Sequence, residues 1–239
     1  MTPTLPQGEL LYAIGDIHGR ADLLENLLRR IEEDARTDRA GNKTLVFLGD
    51  YVDRGPDSCG VVEMLIADLP QGFAAHFLKG NHEALLLGFL DDPLTLDHWL
   101  LNGGAETMAS YGVDIGGLDR LNASPEAWRN AFAAALPETH LGFFKDLELS
   151  LAAGDYLFVH AGVRPDLPLE AQTEADLIWI RAPFLDWPEP FGKMVVHGHT
   201  PGRVPVTRTN RIGIDTGACF SGRLTALRLE GDKRVFLQT

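Results

Sequence analysis

The sequence predicts an α/β protein with two mixed β-sheets flanked by helices. Apolar, β-rich segments alternate with helical patterns in the first half of the chain, and the last third is rich in strands joined by short turns. Alternation of strands and helices implies parallel pairing, with helices covering the sheet. The strand-rich end of the chain therefore suggests a second, mixed sheet.

The predicted strands are short apolar segments, many of them rich in β-branched and aromatic residues. In chain order they are Leu10–Ile14, Thr44–Leu48, Phe73–Leu78, Tyr156–Val159, Met194–Val196, Arg211–Ile214 and Leu224–Leu229. No apolar run reaches the roughly 18 residues that a membrane span needs, so no membrane-spanning helix is expected.

Two helices are predicted between the first three strands. Ala21–Arg36 repeats apolar residues at helical spacing, and Asp22 near its start suits the positive end of the helix dipole. Ser58–Leu69 follows Pro56 and Asp57, which are typical helix-entry residues. The first half of the chain therefore has the order strand, helix, strand, helix, strand.

The central block, residues 84–148, is predicted to be a mostly helical insertion. Its clearest helix follows the tripeptide SPE at residues 124–126, which places a capping serine, a first-turn proline and an acid ahead of AWRNAFAAAL. The sequence has no internal repeat, low-complexity tract or linker. We therefore predict one domain over residues 1–239, with the insertion resting on its core.

The net charge of −13, from 21 basic and 34 acidic residues, argues against one class of partner. Polymer nucleic acid binds clustered Lys and Arg, so it is not expected here. A small phosphorylated substrate is compatible with this charge if metal ions neutralise some carboxylates. The N-terminal sequence lacks the basic and apolar segments typical of export, so a cytoplasmic protein is expected. No membrane association is expected, and no obligate partner is indicated.

The two cysteines, Cys59 and Cys219, are far apart in the sequence and show no CxxC spacing. This spacing indicates neither a disulfide framework nor a thiolate zinc site. Two reduced, packed thiols are expected, with a single bridge as the alternative.

Potential metal ligands follow five of the predicted strands, at the points where those strands end. They are Asp16 and His18, Asp50, Asn81 and His82, His160, and His197 and His199. Each alone is typical of a turn or of packing, but five of the eight histidines stand at such Gly-flanked strand ends. Because the carboxyl ends of parallel strands share one edge of a sheet, we expect these side chains to meet there. The other three histidines are expected to be structural: His76, His98 and His140.

The types of donor restrict the metal. Oxygen and imidazole without thiolate suit Mn, Fe or Zn, and match an all-oxygen calcium site poorly. A carboxylate common to two donor clusters can bridge two metal ions about 3.5–4 Å apart, the arrangement used for in-line displacement at phosphate. We therefore predict a hydrolytic centre with two divalent metal ions, for which Mn²⁺ is expected and Fe or Zn also suits the donors.

Five motifs resemble, in order, the signature set of the phosphoprotein phosphatase family within the metallophosphoesterases. They are GDIHG (15–19), GDYVDRG (49–55), GNHE (80–83), HAG (160–162) and GHT (198–200). HWLLNGG (98–104) and IDTGACFSG (214–222) further resemble the small bacterial and bacteriophage-type protein serine/threonine phosphatases. The resemblance covers residues 15 to about 223 and implies the calcineurin-like metallophosphoesterase fold, a β-sandwich flanked by helices.

The resemblance also implies the metal ligands. Asp16, His18 and Asp50 would hold the first metal ion, and Asp50 would also bridge to the second. Asn81, His160 and His199 would complete the second site. A hydroxide bridging the two metals would attack phosphorus directly, so no nucleophilic Ser or Cys is required.

Four further residues would act on the substrate by the same resemblance. Asp53 and His82 would form a carboxylate–imidazole pair, with His82 as general acid toward the leaving oxygen. Arg54 would bind the phosphoryl oxygens, for which a planar guanidinium is suited. Arg181, in LIWIRAPF, resembles a second phosphate-binding arginine on a shorter match.

Some positions depart from the family pattern or fall outside it. In HGHT, His199 matches the ligand position, whereas His197 precedes the glycine and is expected to support a ligand or to pack. Arg20 either approaches the substrate or begins the first helix, and we favour the helix. Asp215 and Cys219 lie near the expected cleft without matching a ligand. The SAPNYC loop typical of the eukaryotic enzymes is not found, so their regulatory partners are not carried over.

These motifs predict a protein serine/threonine phosphatase, a phosphomonoesterase acting on phosphoserine or phosphothreonine, with phosphotyrosine as a further option. Its partner would be a phosphorylated protein or a small phosphorylated substrate. The alternative is a symmetrical dinucleoside tetraphosphate hydrolase with the same dinuclear centre. Motifs of that branch typically look like GDLVARGP and GNHD, so Asp53 favours the phosphatase. A catalytically inactive scaffold would have lost a ligand or the acid, and none is lost here.

Overall fold

The structure, a computed structural model, describes residues 2–38 and 40–239. Its strands form two five-stranded sheets. In chain order they are β1 (Glu9–Ile14), β2 (Asn42–Phe47), β3 (Phe73–Phe77), β4 (Ser150–Ala153), β5 (Tyr156–Val159), β6 (Met194–His197), β7 (Val206–Thr207), β8 (Arg211–Gly213), β9 (Thr225–Glu230) and β10 (Lys233–Gln238).

Helices surround both sheets. They are α1 (Ala21–Ala35), α2 (Ser58–Ala67), α3 (Asn81–Asp91), α4 (Leu96–Leu100), α5 (Gly104–Ser110), α6 (Ile115–Arg120), α7 (Pro125–Ala135), α8 (Glu138–Lys145), α9 (Glu174–Trp179), α10 (Ala182–Leu185) and α11 (Ala218–Ser221). Short 3₁₀ helices lie at Pro93–Thr95 and Leu169–Ala171. Across the described residues, none of the helices is both long and apolar enough to cross a membrane.

The first sheet has the order β10-β9-β1-β2-β3. Its strands β1, β2 and β3 are parallel, whereas β9 and β10 pair antiparallel. Parallel neighbours need a crossover connection, and α1 and α2 provide the two that this sheet uses. The apolar face of α1, which includes Leu24, Leu27 and Ile31, is fully buried in the cluster that covers the outer face of this sheet.

The second sheet has the order β4-β5-β6-β8-β7. Strands β5, β6 and β8 are parallel, and β4 and β7 are antiparallel edges. Val46 and Leu227 of the first sheet share one buried apolar cluster with Phe158 and Val196 of the second, so the two sheets pack face to face. This sandwich of two mixed sheets flanked by helices confirms the predicted fold class.

The helices from α3 to α8 lie between β3 and β4, and they fill nearly all of the predicted helical block. The start of α7 is as expected, because the Ser124 side chain accepts a hydrogen bond from the N–H of Ala127. Trp99 and Phe132, with ring centroids 5.2 Å apart, pack this block onto the core of the first sheet. That the block is an insertion in one domain over residues 1–239 stays a prediction.

Three strands were missed by the sequence analysis: β4, β7 and β10. Each lies at the edge of its sheet. An edge strand has one ladder partner and more exposed side chains, so its apolar pattern is weaker. In β10, for example, no residue is fully buried.

Candidate metal centre

The candidate ligands lie at the carboxyl ends of the parallel strands of both sheets. β1, β2 and β3 lead into Asp16, Asp50 and Asn81, and β5 and β6 lead into His160 and His199. The ligand atoms of Asp50, His160 and His199 lie within 4.8 Å of one another. The strand ends of the two sheets therefore meet at one point.

Asp50 belongs to two groups of potential ligand atoms. One group contains His18, Asp50 and His82, the other contains Asp50, His160 and His199, and each spans no more than 4.8 Å. Oδ2 of Asp50 lies 3.5 Å from Nε2 of His18 and 3.4 Å from Nε2 of His160. This carboxylate, 2% exposed, thus lies between two clusters of nitrogen donors.

Backbone carbonyls orient two of the imidazoles. Nδ1 of His18 lies 2.9 Å from the carbonyl oxygen of Val52, and Nδ1 of His160 lies 2.9 Å from that of Leu48. A protonated Nδ1 leaves the lone pair of Nε2 free toward Asp50 and toward a metal. Burial lowers the pKa of His18 to about 3 and also lowers the pKa of His160, which keeps both rings in the neutral, ligating form.

The two aspartates differ in their electrostatic surroundings. Burial acts to raise the pKa of Asp50, but the neighbouring imidazoles, that of His160 first, outweigh it and the pKa is lowered. Burial raises the pKa of Asp16, and the carboxylate of Asp215 raises it further. Asp16 lies outside both ligand groups, and its Oδ2 accepts a hydrogen bond of 3.0 Å from the backbone N–H of His199. Asp215 is itself buried against Asp16, and burial raises its pKa to about 6.

Glu83 supports the site in a way that the sequence analysis did not foresee. Its fully buried carboxylate accepts hydrogen bonds from the backbone N–H groups of Asp50 and Gly80, both at 2.9 Å, and of Tyr51 at 2.8 Å. It therefore holds the loop after β2 against the start of α3. Its place in the GNHE motif was the available signal, but no local pattern showed which backbone groups it would bind.

His82 differs from the other imidazoles of the two groups. Its Nδ1 lies 2.7 Å from Oδ2 of Asp53, whose carboxylate also accepts from Trp99 Nε1 at 3.1 Å and from Thr107 Oγ1 at 2.7 Å. Its Nε2 has no hydrogen-bond partner among the described residues and lies 3.9 Å from Oδ2 of Asp50. Burial acts to lower the pKa of His82, but Asp50 and Asp53 outweigh it and the pKa is raised. This ring is thus suited to carry a proton.

Two arginines contact the site, one at each of the two groups of ligands. Nη1 of Arg54 lies 2.9 Å from Nε2 of His18, and Nε of Arg181 donates to Nε2 of His199 at 3.1 Å. The backbone N–H of Arg54 donates to the carbonyl of Gly103, which ties this loop to the start of α5. Both guanidinium groups therefore lie where anionic oxygens beside the imidazoles would contact them.

Strained backbone is concentrated at the site. Among the described residues other than glycine, six have a positive φ, and five of these are candidate site residues: His18, Asp50, Asp53, Arg54 and His199. Such conformations cost about 1–3 kcal/mol each and persist where surrounding contacts hold them. Gly49, before Asp50, has a φ of 101°, and a Cβ there would lie only 2.6 Å from the backbone nitrogen of Gly80.

One histidine and one arginine singled out in the sequence have structural contacts. His197 is buried, with Nδ1 3.0 Å from the carbonyl of Gly198 and its ring edge against Phe184, so it packs within the second sheet. Arg20 binds the carboxylate of Asp22 through Nε and Nη2 and precedes α1, as favoured.

Residues expected to be structural lie in ordinary settings. His76 contacts Glu148 and His140 contacts Glu63, with nitrogen–oxygen distances of 2.8 and 2.9 Å. His98 is exposed. The two cysteines are free thiols, as expected: Cys59 and Cys219.

The donors fit divalent cations. Oxygen and imidazole atoms converge without a thiolate in either ligand group, which is the set that Mn, Fe and Zn accept. Nε2 of His160 lies 3.0 Å from Oδ1 of Asn81, so two acceptor lone pairs converge there once Nδ1 of this histidine carries its proton.

The model of the calcineurin-like phosphoesterase family matches residues 10–222. The chain belongs to this family. Its members are hydrolases that normally bind divalent metal ions, in agreement with the donor set above. The resemblance found in the motifs is thereby confirmed at the level of the superfamily.

The names of the curated relatives state a different activity from the one predicted. The chain is 28% identical to bis(5'-nucleosyl)-tetraphosphatase PrpE [asymmetrical] of Bacillus velezensis, over 95% of this chain and 91% of the relative. It is 27% identical to the protein of the same name from Oceanobacillus iheyensis, over 90% of this chain and 86% of the relative.

Solved structures with the same fold include enzymes named for different substrates. A candidate diadenosine tetraphosphatase matches with a TM-score of 0.63 and 24% identity, over 96% of this chain and 93% of its own. A cold-active protein tyrosine phosphatase matches with the same TM-score and 17% identity, over 98% and 80%. These likenesses show the shared fold alone.

The prediction of a protein serine/threonine phosphatase is wrong, because the relatives that span the chain are named tetraphosphatases. The inference rested on Asp53, which was expected to separate phosphatases from nucleotide hydrolases. Asp53 is fully buried and bonded to His82, Trp99 and Thr107. Because its contacts lie in the interior, Asp53 fixes the imidazole of His82 and is not part of a surface on which substrates would differ.

Proposed function

We propose that this chain hydrolyses bis(5'-nucleosyl) tetraphosphates and cuts them asymmetrically, into a nucleoside triphosphate and a nucleoside monophosphate. The observation that carries the proposal is the similarity, over 90–95% of the chain, to proteins named asymmetrical bis(5'-nucleosyl)-tetraphosphatases. A buried site with two groups of metal donors and two arginines supports it, because the substrate is a chain of anionic phosphates.

We further propose that two divalent ions bind at the site, and that Mn²⁺ is the preferred metal. Asp16, His18 and Asp50 would hold one ion, and Asp50 would be shared with the other. Asn81, His160 and His199 would hold that second ion. When bound, the ions would supply Lewis acidity toward the phosphoryl oxygens and toward water.

The protein's own side chains would then act on the phosphate chain. Arg54 and Arg181 bind the equatorial oxygens of the phosphate under attack, from the two sides on which they lie. The oxygen of water forms a bond to phosphorus and one of its protons passes to the bulk solvent, while the bond from phosphorus to the bridging oxygen breaks. The departing oxygen takes the proton on Nε2 of His82, while Asp53 holds the ring at Nδ1.

The test is hydrolysis of diadenosine tetraphosphate by metal-stripped protein reloaded with Mn²⁺, and in parallel with Zn²⁺ or Fe²⁺. Chromatography separates the outcomes, since asymmetrical cleavage gives ATP and AMP in equal amounts and symmetrical cleavage gives ADP alone. Asp50→Asn serves as the inactive control, and a phosphoserine peptide as the comparison substrate. ADP as the sole product would overturn the asymmetry, and peptide turnover without nucleotide cleavage would overturn the proposed substrate.

A further inference from the structure

Trp179 is an exposed aromatic residue at the edge of the metal centre. It is the last residue of α9 and is 41% exposed, whereas Leu177 and Ile178 just before it are buried. Its ring lies edge-on to that of His199, with centroids 6.3 Å apart and an interplanar angle of 83°. The indole is therefore close to one group of metal donors but is not part of the core.

The backbone that carries this indole is firmly held. Thr173 and Asp176 form a capping box at the start of α9, and Asp176 also binds Arg164 at 2.6 Å. After the helix the chain is extended at Ile180, and Trp179 and Arg181 on either side of it both lie against His199. Arg181 in turn donates to His199.

An exposed indole next to a phosphate-binding arginine has the arrangement that a nucleotide needs. In a nucleoside 5'-phosphate, one sugar separates the base from the phosphate, so the two are recognised by neighbouring groups. Aromatic side chains bind bases by stacking, without regard to base identity. The metal centre and both arginines recognise phosphate alone and cannot distinguish a dinucleotide from any other phosphate chain.

We propose that Trp179 is the stacking surface for one nucleobase of the substrate, and that it contributes the preference for nucleotides over base-free phosphates. The inference rests on the proposed function and adds a residue that determines specificity. The phosphate attached to the stacked nucleoside would lie beside Arg181 and His199.

The chain offers a matched control in Trp187. It is 39% exposed, nearly the same as Trp179. Its carbonyl accepts a hydrogen bond of 2.8 Å from the side chain of Asn210, which immediately precedes β8, whereas Asp215 and the site follow that strand. Trp187 therefore lies at the opposite end of the second sheet from the metal centre.

The kinetic test compares Trp179→Ala, Trp179→Phe and Trp187→Ala in the Mn²⁺-loaded protein. Loss of the indole is expected to raise KM for diadenosine tetraphosphate about tenfold or more, with a smaller change in kcat. The rise should be several times larger than the rise for inorganic tripolyphosphate, and Trp179→Phe should recover part of it. An equal rise in KM for both substrates, or a rise in KM for diadenosine tetraphosphate with Trp187→Ala, would overturn the proposal.

Binding gives a readout that does not depend on turnover. Addition of AMP is expected to quench tryptophan fluorescence in the unsubstituted protein and in Trp187→Phe, but far less in Trp179→Phe, whereas ribose 5-phosphate should quench none of them. Phe220, 77% exposed on α11, is the competing surface. If Phe220→Ala raises KM and Trp179→Ala does not, the stacking surface is elsewhere and the inference fails.

The two proposals fail in different ways. If diadenosine tetraphosphate is not hydrolysed but AMP still quenches Trp179, the proposed function is wrong and nucleotide stacking stands. If hydrolysis is asymmetrical but substitution of Trp179 changes neither the fluorescence quenching nor KM, the proposed function stands and the proposed stacking surface is wrong.

Discussion

Nδ1 of His82 lies 2.7 Å from Oδ2 of Asp53, and both side chains are buried. Trp99 and Thr107, from α4 and α5, donate to the same carboxylate, so the imidazole of His82 is oriented by the helical block rather than by the sheets. The free Nε2 of His82 then faces Asp50. Orientation and position of this imidazole are thus set by different parts of the fold.

His82→Asn should test the acid role. We expect kcat to fall by about 10²–10⁴-fold for substrates with poor leaving groups, and by less for diadenosine tetraphosphate, whose departing phosphate needs the proton less. Rates across a series of aryl phosphates of increasing leaving-group pKa measure this. His76→Asn, at a half-buried histidine paired with Glu148, is the control. A loss that does not vary with the leaving group contradicts the acid role.

Asp50→Asn should empty both metal positions, because this carboxylate belongs to both ligand groups. We expect metal content, measured by plasma mass spectrometry after dialysis, to fall at both positions and turnover to be abolished. The exposed Asp68→Asn provides the matched control. Retention of one tightly bound ion would show that Asp50 is not shared.

Glu83→Gln should loosen the loop after β2. Four backbone N–H groups donate to this buried carboxylate, and an amide nitrogen in place of one oxygen would face a donor. We expect the free energy of unfolding to fall by roughly 1–3 kcal/mol, measured by urea denaturation, together with weaker metal binding. Glu106→Gln, on an exposed part of α5, should change neither quantity. Unchanged stability of the Glu83→Gln variant would mean that the loop is held by other contacts.

Gly49→Ala and Gly72→Ala form a matched pair. Both glycines have a positive φ, 101° and 83°, so each alanine carries conformational strain of about 1 kcal/mol. A Cβ at Gly49 also meets the nitrogen of Gly80 at 2.6 Å, whereas nothing lies within 4 Å of one at Gly72. We expect thermal denaturation to show the larger loss for Gly49→Ala, and only that variant to lose activity. Equal losses would mean that the loop after β2 shifts freely.

Most of the central strands and the donor residues were foreseeable from sequence. A buried strand has a strong apolar pattern, and its polar end is visible because Asp, Asn or His follows closely, as Asp50 follows β2. The edge strands β4, β7 and β10 were missed because single-sided pairing leaves their patterns weak. The contacts of Glu83 were missed for another reason, since its partners are backbone groups that any residue could supply.

Substrate choice was the point at which sequence reasoning failed. The motif residue Asp53 fixes the orientation of the His82 imidazole, and this contact carries no information on what is attached to the phosphate. In the proposed function, recognition of what is attached to the phosphate would fall to surface side chains such as Trp179, whose neighbour His199 is 20 residues away in the sequence. No local pattern marks such a residue as part of the site.

By itself, the sequence determined the α/β class, the central strands and the kinds of donor that end them, because these depend on periodicity and on neighbours along the chain. The motif resemblance already implied a shared Asp50 and a proton on His82, but only the tertiary structure gave their physical basis, and it alone showed that Glu83 anchors the loop. Those properties depend on burial and on distances between residues far apart in the chain. Packing of the two sheets and of the helical block creates both.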